Sequence, residues 1–236
     1  MKKKMNIKIF ADGADKSDMI KMNNKSFIEG LTTNPTLMKK AGIKDYEFFA
    51  RDILKEIKNK PISFEVFSDD LHEMEIQAHK IAKWGNNVYV KIPVTNTKGE
   101  ATYSLINSLS SKGVKVNVTA IMTLEQVRDV TLNLNPEVRS YVSIFAGRIA
   151  DTGVDPIPLM SAAVQLTKLN PLAEIIWASP RELLNIFQAE KIGCHIITAT
   201  NEILKKLDLV GYDLNEFSLD TVKMFYNDAK EAGYSI

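Results

Sequence analysis

Short apolar runs rich in β-branched residues alternate along this chain with polar stretches whose apolar positions return at helical spacing. Residues 7–11 (IKIFA) predict a strand ending at Asp12-Gly13, and residues 15–23 a short polar helix. A second strand is expected over 27–32, ending in Thr32-Thr33-Asn34-Pro35, after which Tyr46, Phe49, Ile53 and Ile57 form one stripe of a helix. Residues 62–66 give a third strand, Asp69 or Asp70 can cap a helix running to Trp84, and residues 88–93 (VYVKIP) give a fourth strand. A helix over 97–111 stops at Gly113, a fifth strand follows over 114–118, and Thr123 caps a helix carrying Val127 and Val130. A sixth strand spans 141–145, with a helix over about 156–168. A seventh spans 174–178, with Pro180 suited to the first turn of the next helix, and an eighth spans 193–198, followed by a helix through Leu204.

Eight strands alternating with eight helices predict the α/β class and a single closed (β/α)8 TIM barrel over residues 1–236. A last helical pattern over 218–233, with Val222, Phe225 and Tyr226, lies beyond the eighth unit. It has no barrel strand to serve, so it caps the barrel or reaches a neighbouring subunit. A homo-oligomer formed through this helix is the expectation.

The fourth strand carries a lysine inside an apolar run closed by Pro93. Alternation sets Val88, Val90 and Ile92 on one face and Tyr89 and Lys91 on the other, so Lys91 projects from the carboxyl end of a buried strand. Desolvation there disfavours the ammonium form and exposes an amine able to attack a carbonyl carbon. The competing account is a lysine whose stem packs on apolar surface while its head reaches solvent.

Composition narrows the partners. With 30 Lys+Arg against 29 Asp+Glu the formal net charge is +1, so neither nucleic acid nor an anionic membrane is expected as a partner, and any phosphate must be recognised locally. The one cysteine, Cys194, allows no internal disulfide, fits a reducing cytoplasm, and reads as a small buried apolar side chain. The three histidines are scattered, with His72 and His79 on a polar helix pattern, and suggest no metal site. Met1 and the three lysines after it resemble the start of a signal peptide, but the apolar stretch behind them is cut at Asp12, and no segment approaches the length of a membrane span.

Chemistry in such barrels sits at the carboxyl ends of the strands. The polar residues expected there are Asp12, Asn34, Glu65, Lys91, Asn117, Thr119, Ser143, Arg148, Ser179 and Arg181. Lys91 supplies an amine, Asp12 and Glu65 two carboxylates for proton transfer, and Asn34, Asn117 and Thr119 neutral hydrogen bonds for hydroxyls and a water. Ser143, Arg148, Ser179 and Arg181 offer a local cationic pocket for a phosphate. Each residue alone has a structural account as a turn, helix start, ion pair or solvated loop charge. Their collection at the strand ends of one barrel argues for a site.

Asp12, Gly30-Leu31-Thr32-Thr33-Asn34-Pro35, Phe64-Glu65-Val66, Val90-Lys91-Ile92-Pro93, Asn117-Val118-Thr119, the 143–149 segment SIFAGRI and Ala178-Ser179-Pro180-Arg181 together resemble the transaldolase family, in its short subfamily. The resemblance implies a class I aldol mechanism with no metal or organic cofactor, acting on sugar phosphates. Lys91 would form a Schiff base with a ketose phosphate, Asp12 would take the proton from its C4 hydroxyl, and Glu65 and Thr119 would hold a catalytic water. Asn34 and Asn117 would position the dihydroxyacetone unit, and Ser143, Arg148, Ser179 and Arg181 would bind phosphate. Fructose-6-phosphate aldolases, which share fold and lysine, are similar but carry glutamine where this chain has Glu65 and tyrosine where it has Phe145, so the resemblance implies transfer with cleavage minor. Ala11-Asp12-Gly13-Ala14-Asp15 departs from the pattern expected after the first strand, as do Ile144 and Pro180 beside the phosphate positions. A specialised sugar phosphate therefore stays open. So does a barrel that binds sugar phosphates without turnover, although binding alone has no use for a desolvated lysine facing two carboxylates.

Overall fold

Strand pairing follows sequence order around a closed circle. In the computed structural model β1 (Lys8–Asp12), β2 (Ile28–Thr32), β3 (Ile62–Glu65), β4 (Val88–Pro93), β5 (Val116–Ile121), β6 (Ser140–Ile144), β7 (Ala173–Trp177) and β8 (Ile196–Thr200) pair in parallel, and β8 returns to β1. This is the closed eight-stranded TIM barrel expected from the alternation. The structure describes residues 5–236, so the signal-like start at Met1 and its lysines lies outside the described residues.

The helices are α1 (Lys16–Asn23), α2 (Pro35–Lys40), α3 (Tyr46–Glu56), α4 (Leu71–Ala82), α5 (Tyr103–Ser111), α6 (Leu124–Asn133), α7 (Ala146–Asp151), α8 (Pro156–Leu166), α9 (Leu184–Lys191), α10 (Asn201–Lys205) and α11 (Leu214–Glu231). Asp15, Asn34, Asp45, Asp70, Thr123 and Asp155 each accept a backbone N–H of the first turn, so most starts were written in the sequence as N-caps. The chain divides into two compact units, one through Leu204 and one from Lys205 to Ile236. In the second unit Asp213 caps α11, which therefore begins about one turn earlier than the expected 218–233. Among the described residues no helix is long and apolar enough to cross a membrane.

Several boundaries differ from expectation for identifiable reasons. The helix expected over 97–111 begins only at Tyr103, because Asn96 Oδ1 accepts the N–H groups of Lys98 at 3.0 Å and Glu100 at 2.9 Å and closes a turn in which Gly99 has φ 80°. Pro180 opens no helix: Asn185 Oδ1 holds the N–H groups of Arg181 and Glu182, and α9 starts at Leu184. The fifth strand runs later than 114–118, which brings Thr119 inside it together with Asn117. The short helices α2 and α7 were not resolved as separate elements by the pattern.

Inward-facing positions fill the barrel in layers. Phe10, Tyr89, Tyr141, Ile176, Ala178 and Ile196 make one buried cluster, with Phe145 packed against it. Gly30 admits Phe10, since a Cβ there would lie 2.5 Å from the ring. Cys194 is buried and its thiol pKa is pushed up to about 12, and His195 Nδ1 accepts the Ile175 N–H at 3.0 Å, so both serve the fold.

Candidate active site

Register sets the centre of the site. Glu65 on β3 pairs with Lys91 on β4, and Lys91 pairs with Asn117 on β5, so three polar side chains stand at one level on consecutive strands. Lys91 is only 6% exposed. Its Nζ donates to the Thr33 carbonyl at 3.0 Å and lies 3.2 Å from Glu65 Oε2, within reach for direct proton exchange. Glu65 is fixed from outside the barrel. Tyr46, the first residue of α3, accepts the Glu65 N–H at 2.7 Å and donates to the Glu65 carbonyl at 3.0 Å. Tyr46 is held by edge-on contacts with Phe64, Phe67 and Trp84, and burial pushes its hydroxyl pKa far up, so it stays a neutral donor.

Asp12 closes β1 beside them. Thr32 Oγ1 donates to Asp12 Oδ1 at 2.8 Å and lies 2.5 Å from Thr198 Oγ1. Since Thr32 has one hydroxyl proton and spends it on Asp12, Thr198 is the donor in the second bond, giving a directed relay Thr198 to Thr32 to Asp12. Asn34 does two jobs with one amide: Oδ1 accepts the Leu37 N–H at 3.0 Å as the cap of α2, and Nδ2 reaches Asp12 Oδ2 at 3.4 Å. Burial raises the Asp12 pKa, against the lowering influence of Lys91 and the Thr32 hydrogen bond.

A second string of polar groups crosses the barrel. Asn117 Nδ2 donates to Ser63 Oγ at 3.0 Å, and Ser143 Oγ donates to Asn117 Oδ1 at 2.6 Å. Ser143 was expected beside the arginines, and its hydroxyl is instead spent on Asn117. Thr119 stands where β5 loses register with β6, next to Ala120 at φ 63°, a left-handed conformation costly for a residue with a Cβ. Its hydroxyl is buried and has no partner among the described residues, an arrangement that costs about 1–3 kcal/mol.

The arginines lie beyond β6 and β7. Arg181 Nε donates to Asp151 Oδ1 at 2.8 Å, Nη2 to Asp151 Oδ2, and Nη1 to Ser179 Oγ at 3.0 Å. This pairing holds the Asp151 carboxyl below its ordinary range and leaves one N–H on each Nη uncommitted. Arg148 is exposed, with its guanidinium 5.8 Å from the half-buried Phe145 ring. Ser179 has φ 59°, and a Cβ on Gly147 would meet its carbonyl oxygen at 1.6 Å, so only glycine lets α7 approach this turn. Gly147→Ala is expected to cost about 2–3 kcal/mol of stability. Denaturant titration would register that as a lower midpoint, and an unchanged midpoint would mean that the turn moves aside freely.

The structure thus pairs Lys91 with Glu65 and Asn34 with Asp12, with Lys91 and Glu65 near enough to act electrostatically on Asp12, joins Asn117 to Ser143, and joins Ser179 to Arg181, with Arg148 stacked near Phe145. Sequence reading missed the residues that hold these groups: Thr32 and Thr198 behind Asp12, Tyr46 behind Glu65, Ser63 behind Asn117 and Asp151 behind Arg181. Alternation alone could have flagged Thr32 and Thr198, since each lies two residues after an inward-facing position, Gly30 or Ile196. Tyr46 read as part of an apolar helix stripe and gave no such signal.

A buried lysine paired with one carboxylate and within electrostatic reach of a second, at the carboxyl end of a parallel barrel, is the composition of a candidate enzyme site. Residues 9–236 match the family described as Transaldolase/Fructose-6-phosphate aldolase. The chain is 36% identical over 202 residues to a "Probable transaldolase" of Streptococcus equi subsp. zooepidemicus, covering 85% of this chain and 90% of that protein. It is 33% identical over 231 residues to a "Probable transaldolase" of a Thermoanaerobacter species, covering 98% and 100%. The crystal structure of KGPDC from Streptococcus mutans overlays with a TM-score of 0.58 at 7% identity, covering 86% of this chain and 91% of that one, a likeness of fold alone. The chain belongs to the transaldolase/fructose-6-phosphate aldolase family and is an enzyme of aldolase type.

Proposed function

We propose that this enzyme is a transaldolase that moves a dihydroxyacetone unit from a ketose phosphate, fructose 6-phosphate or sedoheptulose 7-phosphate, to an aldose phosphate through an imine on Lys91. The observation that carries the reading is the buried Lys91 amine 3.2 Å from Glu65, on the same side of the barrel as an Asp12 carboxyl made more basic by burial. The amine adds to the C2 carbonyl, and Glu65, through a water held with the Thr119 hydroxyl, moves protons until water leaves and the imine forms. Asp12 takes the proton of the C4 hydroxyl. The C3–C4 bond breaks with its electrons passing into the protonated imine, and an aldose phosphate departs. The enamine left on Lys91 attacks the acceptor carbonyl, whose oxygen takes the proton back from Asp12, and water then hydrolyses the new imine to free the ketose phosphate and the lysine amine.

Asn34 and the Ser143–Asn117 pair hold the hydroxyls of the three-carbon unit, while Arg181, Ser179 and Arg148 take the phosphate with the N–H groups that Asp151 leaves uncommitted. Glu65 can move a proton that glutamine cannot. Phe145 gives water no hydroxyl to bind, so the enamine persists until an acceptor arrives. With fructose 6-phosphate as donor, adding erythrose 4-phosphate is expected to turn the reaction to sedoheptulose 7-phosphate, with little free dihydroxyacetone in either condition. Equal dihydroxyacetone release with and without the acceptor would instead identify an aldolase of the cleaving kind.

A further inference from the structure

The catalytic groups occupy one end of the barrel, and the opposite mouth is built of a different chemistry. A cleft of about 470 Å³ opens there, lined among others by Lys8, Lys58, Lys115, Arg139, Tyr89 and Tyr141. Lys8 and Tyr89 lie at the beginnings of β1 and β4, Lys115 and Arg139 immediately precede β5 and β6, and Tyr141 is the second residue of β6. The volume falls within the roughly 300–1,000 Å³ of small-molecule sites. Its floor is closed by Phe10 and by the Tyr89 and Tyr141 rings, stacked at 4.0 Å and 11°, so a ligand here has no straight path to Lys91.

The charges in the cleft do not cancel. Four cations face two carboxylates, Glu29 and Glu174, and Glu174 is already paired with Lys8 at 2.6 Å. Among the described residues Lys58 and Arg139 make no ion pair. Lys115 Nζ is held at the Asn86 carbonyl and stands 5.6 Å from the Tyr89 ring, so its charge is fixed over the aromatic floor. Burial raises the pKa of both tyrosine hydroxyls, which keeps them neutral; the two hydroxyls share a hydrogen bond, which leaves one O–H free, and both Arg139 and Glu174 are near enough to act electrostatically on each. A fork of guanidinium donors, a fixed ammonium and the one phenolic O–H that the tyrosine pair leaves free, around one cleft, is the donor set of a phosphate dianion, and no step of the aldol reaction uses it.

We propose that the amino-terminal mouth of the barrel is a second, non-catalytic binding site for a phosphate group, free or as a small monoester. Arg139 grips the phosphate, Lys115 fixes it over the tyrosine pair, and Lys58 supplies the outer charge. The site is independent of the reaction assigned to the other end.

Lysine-reactive labelling of the full chain, read peptide by peptide with mass spectrometry, tests this locally, because phosphate held at Arg181 does not shield Lys115. Titration with inorganic phosphate, and separately with glycerol 3-phosphate, is expected to slow labelling of Lys115 saturably, while sodium chloride at matched ionic strength leaves it unchanged. Arg139→Gln, a change at an exposed side chain, should raise the half-saturating phosphate concentration about tenfold, the scale of one lost charge-assisted hydrogen bond, whereas Arg181→Gln should not move it. Saturation at lower concentration with the monoester would make the ligand an organic phosphate, and equal saturation would make it phosphate itself. Labelling of Lys115 that ignores both phosphates, follows salt alone, or saturates identically in Arg139→Gln overturns the proposal.

Discussion

Lys91→Met yields a folded barrel that turns over at least about 10⁴-fold more slowly, because the nucleophile is removed while a side chain of similar length keeps the space filled. Borohydride reduction in the presence of fructose 6-phosphate traps a three-carbon adduct on the Lys91 peptide of the native enzyme and none on the variant. Circular dichroism of the variant must still report a native fold for the comparison to count. The surroundings explain why the site tolerates the change structurally: Lys91 stands among Thr33, Glu65 and Asn117 on the inner face of β4, whose outward residues Val88, Val90 and Ile92 remain buried as before. An adduct at another lysine, or trapping retained in the variant, would move the chemistry elsewhere in the chain.

Asp12→Asn is expected to lower turnover by about 10²–10⁴-fold, the usual contribution of a positioned base. The amide oxygen can still accept from Thr32, so the relay from Thr198 survives while the proton acceptor and the long 3.4 Å bond from Asn34 are lost. Because burial raises the Asp12 pKa, the acid limb of the native activity profile lies above the ordinary carboxylate range, with activity falling as pH drops through that raised value. This limb is absent from the residual activity of the variant. Stability runs the other way. A carboxyl whose folded pKa exceeds its unfolded pKa stabilises the fold at acid pH and loses that contribution as pH rises through the folded value. Asp12→Asn should therefore melt higher than the native enzyme at neutral pH, with the gain shrinking toward acid. A variant that melts lower at neutral pH, or keeps the acid limb, would mean that another group sets both.

Strand order and the inward face of each strand were legible in the sequence because period-two alternation and barrel closure leave little freedom: once Tyr89 and Lys91 share a face, Lys91 meets its register partners Glu65 and Asn117. The groups that hold the site were less legible because their contacts depend on which strands become neighbours in three dimensions. Thr32 and Thr198 are 166 residues apart, and only closure between β8 and β1 brings their hydroxyls together behind Asp12. Tyr46 looked apolar because its ring is; the hydroxyl that holds Glu65 was invisible to a pattern that weighs whole residues. The delayed starts of α5 at Tyr103 and of α9 turned on single asparagine side chains at 96 and 185, which compete locally with the helix for backbone groups.

The divided amide of Asn34 limits what the genetic code can put at that position. Aspartate would cap α2 equally well, yet its charge would face Asp12 and drive that carboxyl toward its protonated, inactive form. Serine or threonine would also serve the helix and leave Asp12 without the amide donor. A helix start that elsewhere accepts several residue types is here confined to one, so the tolerance of the outer scaffold to drift is set from inside the barrel.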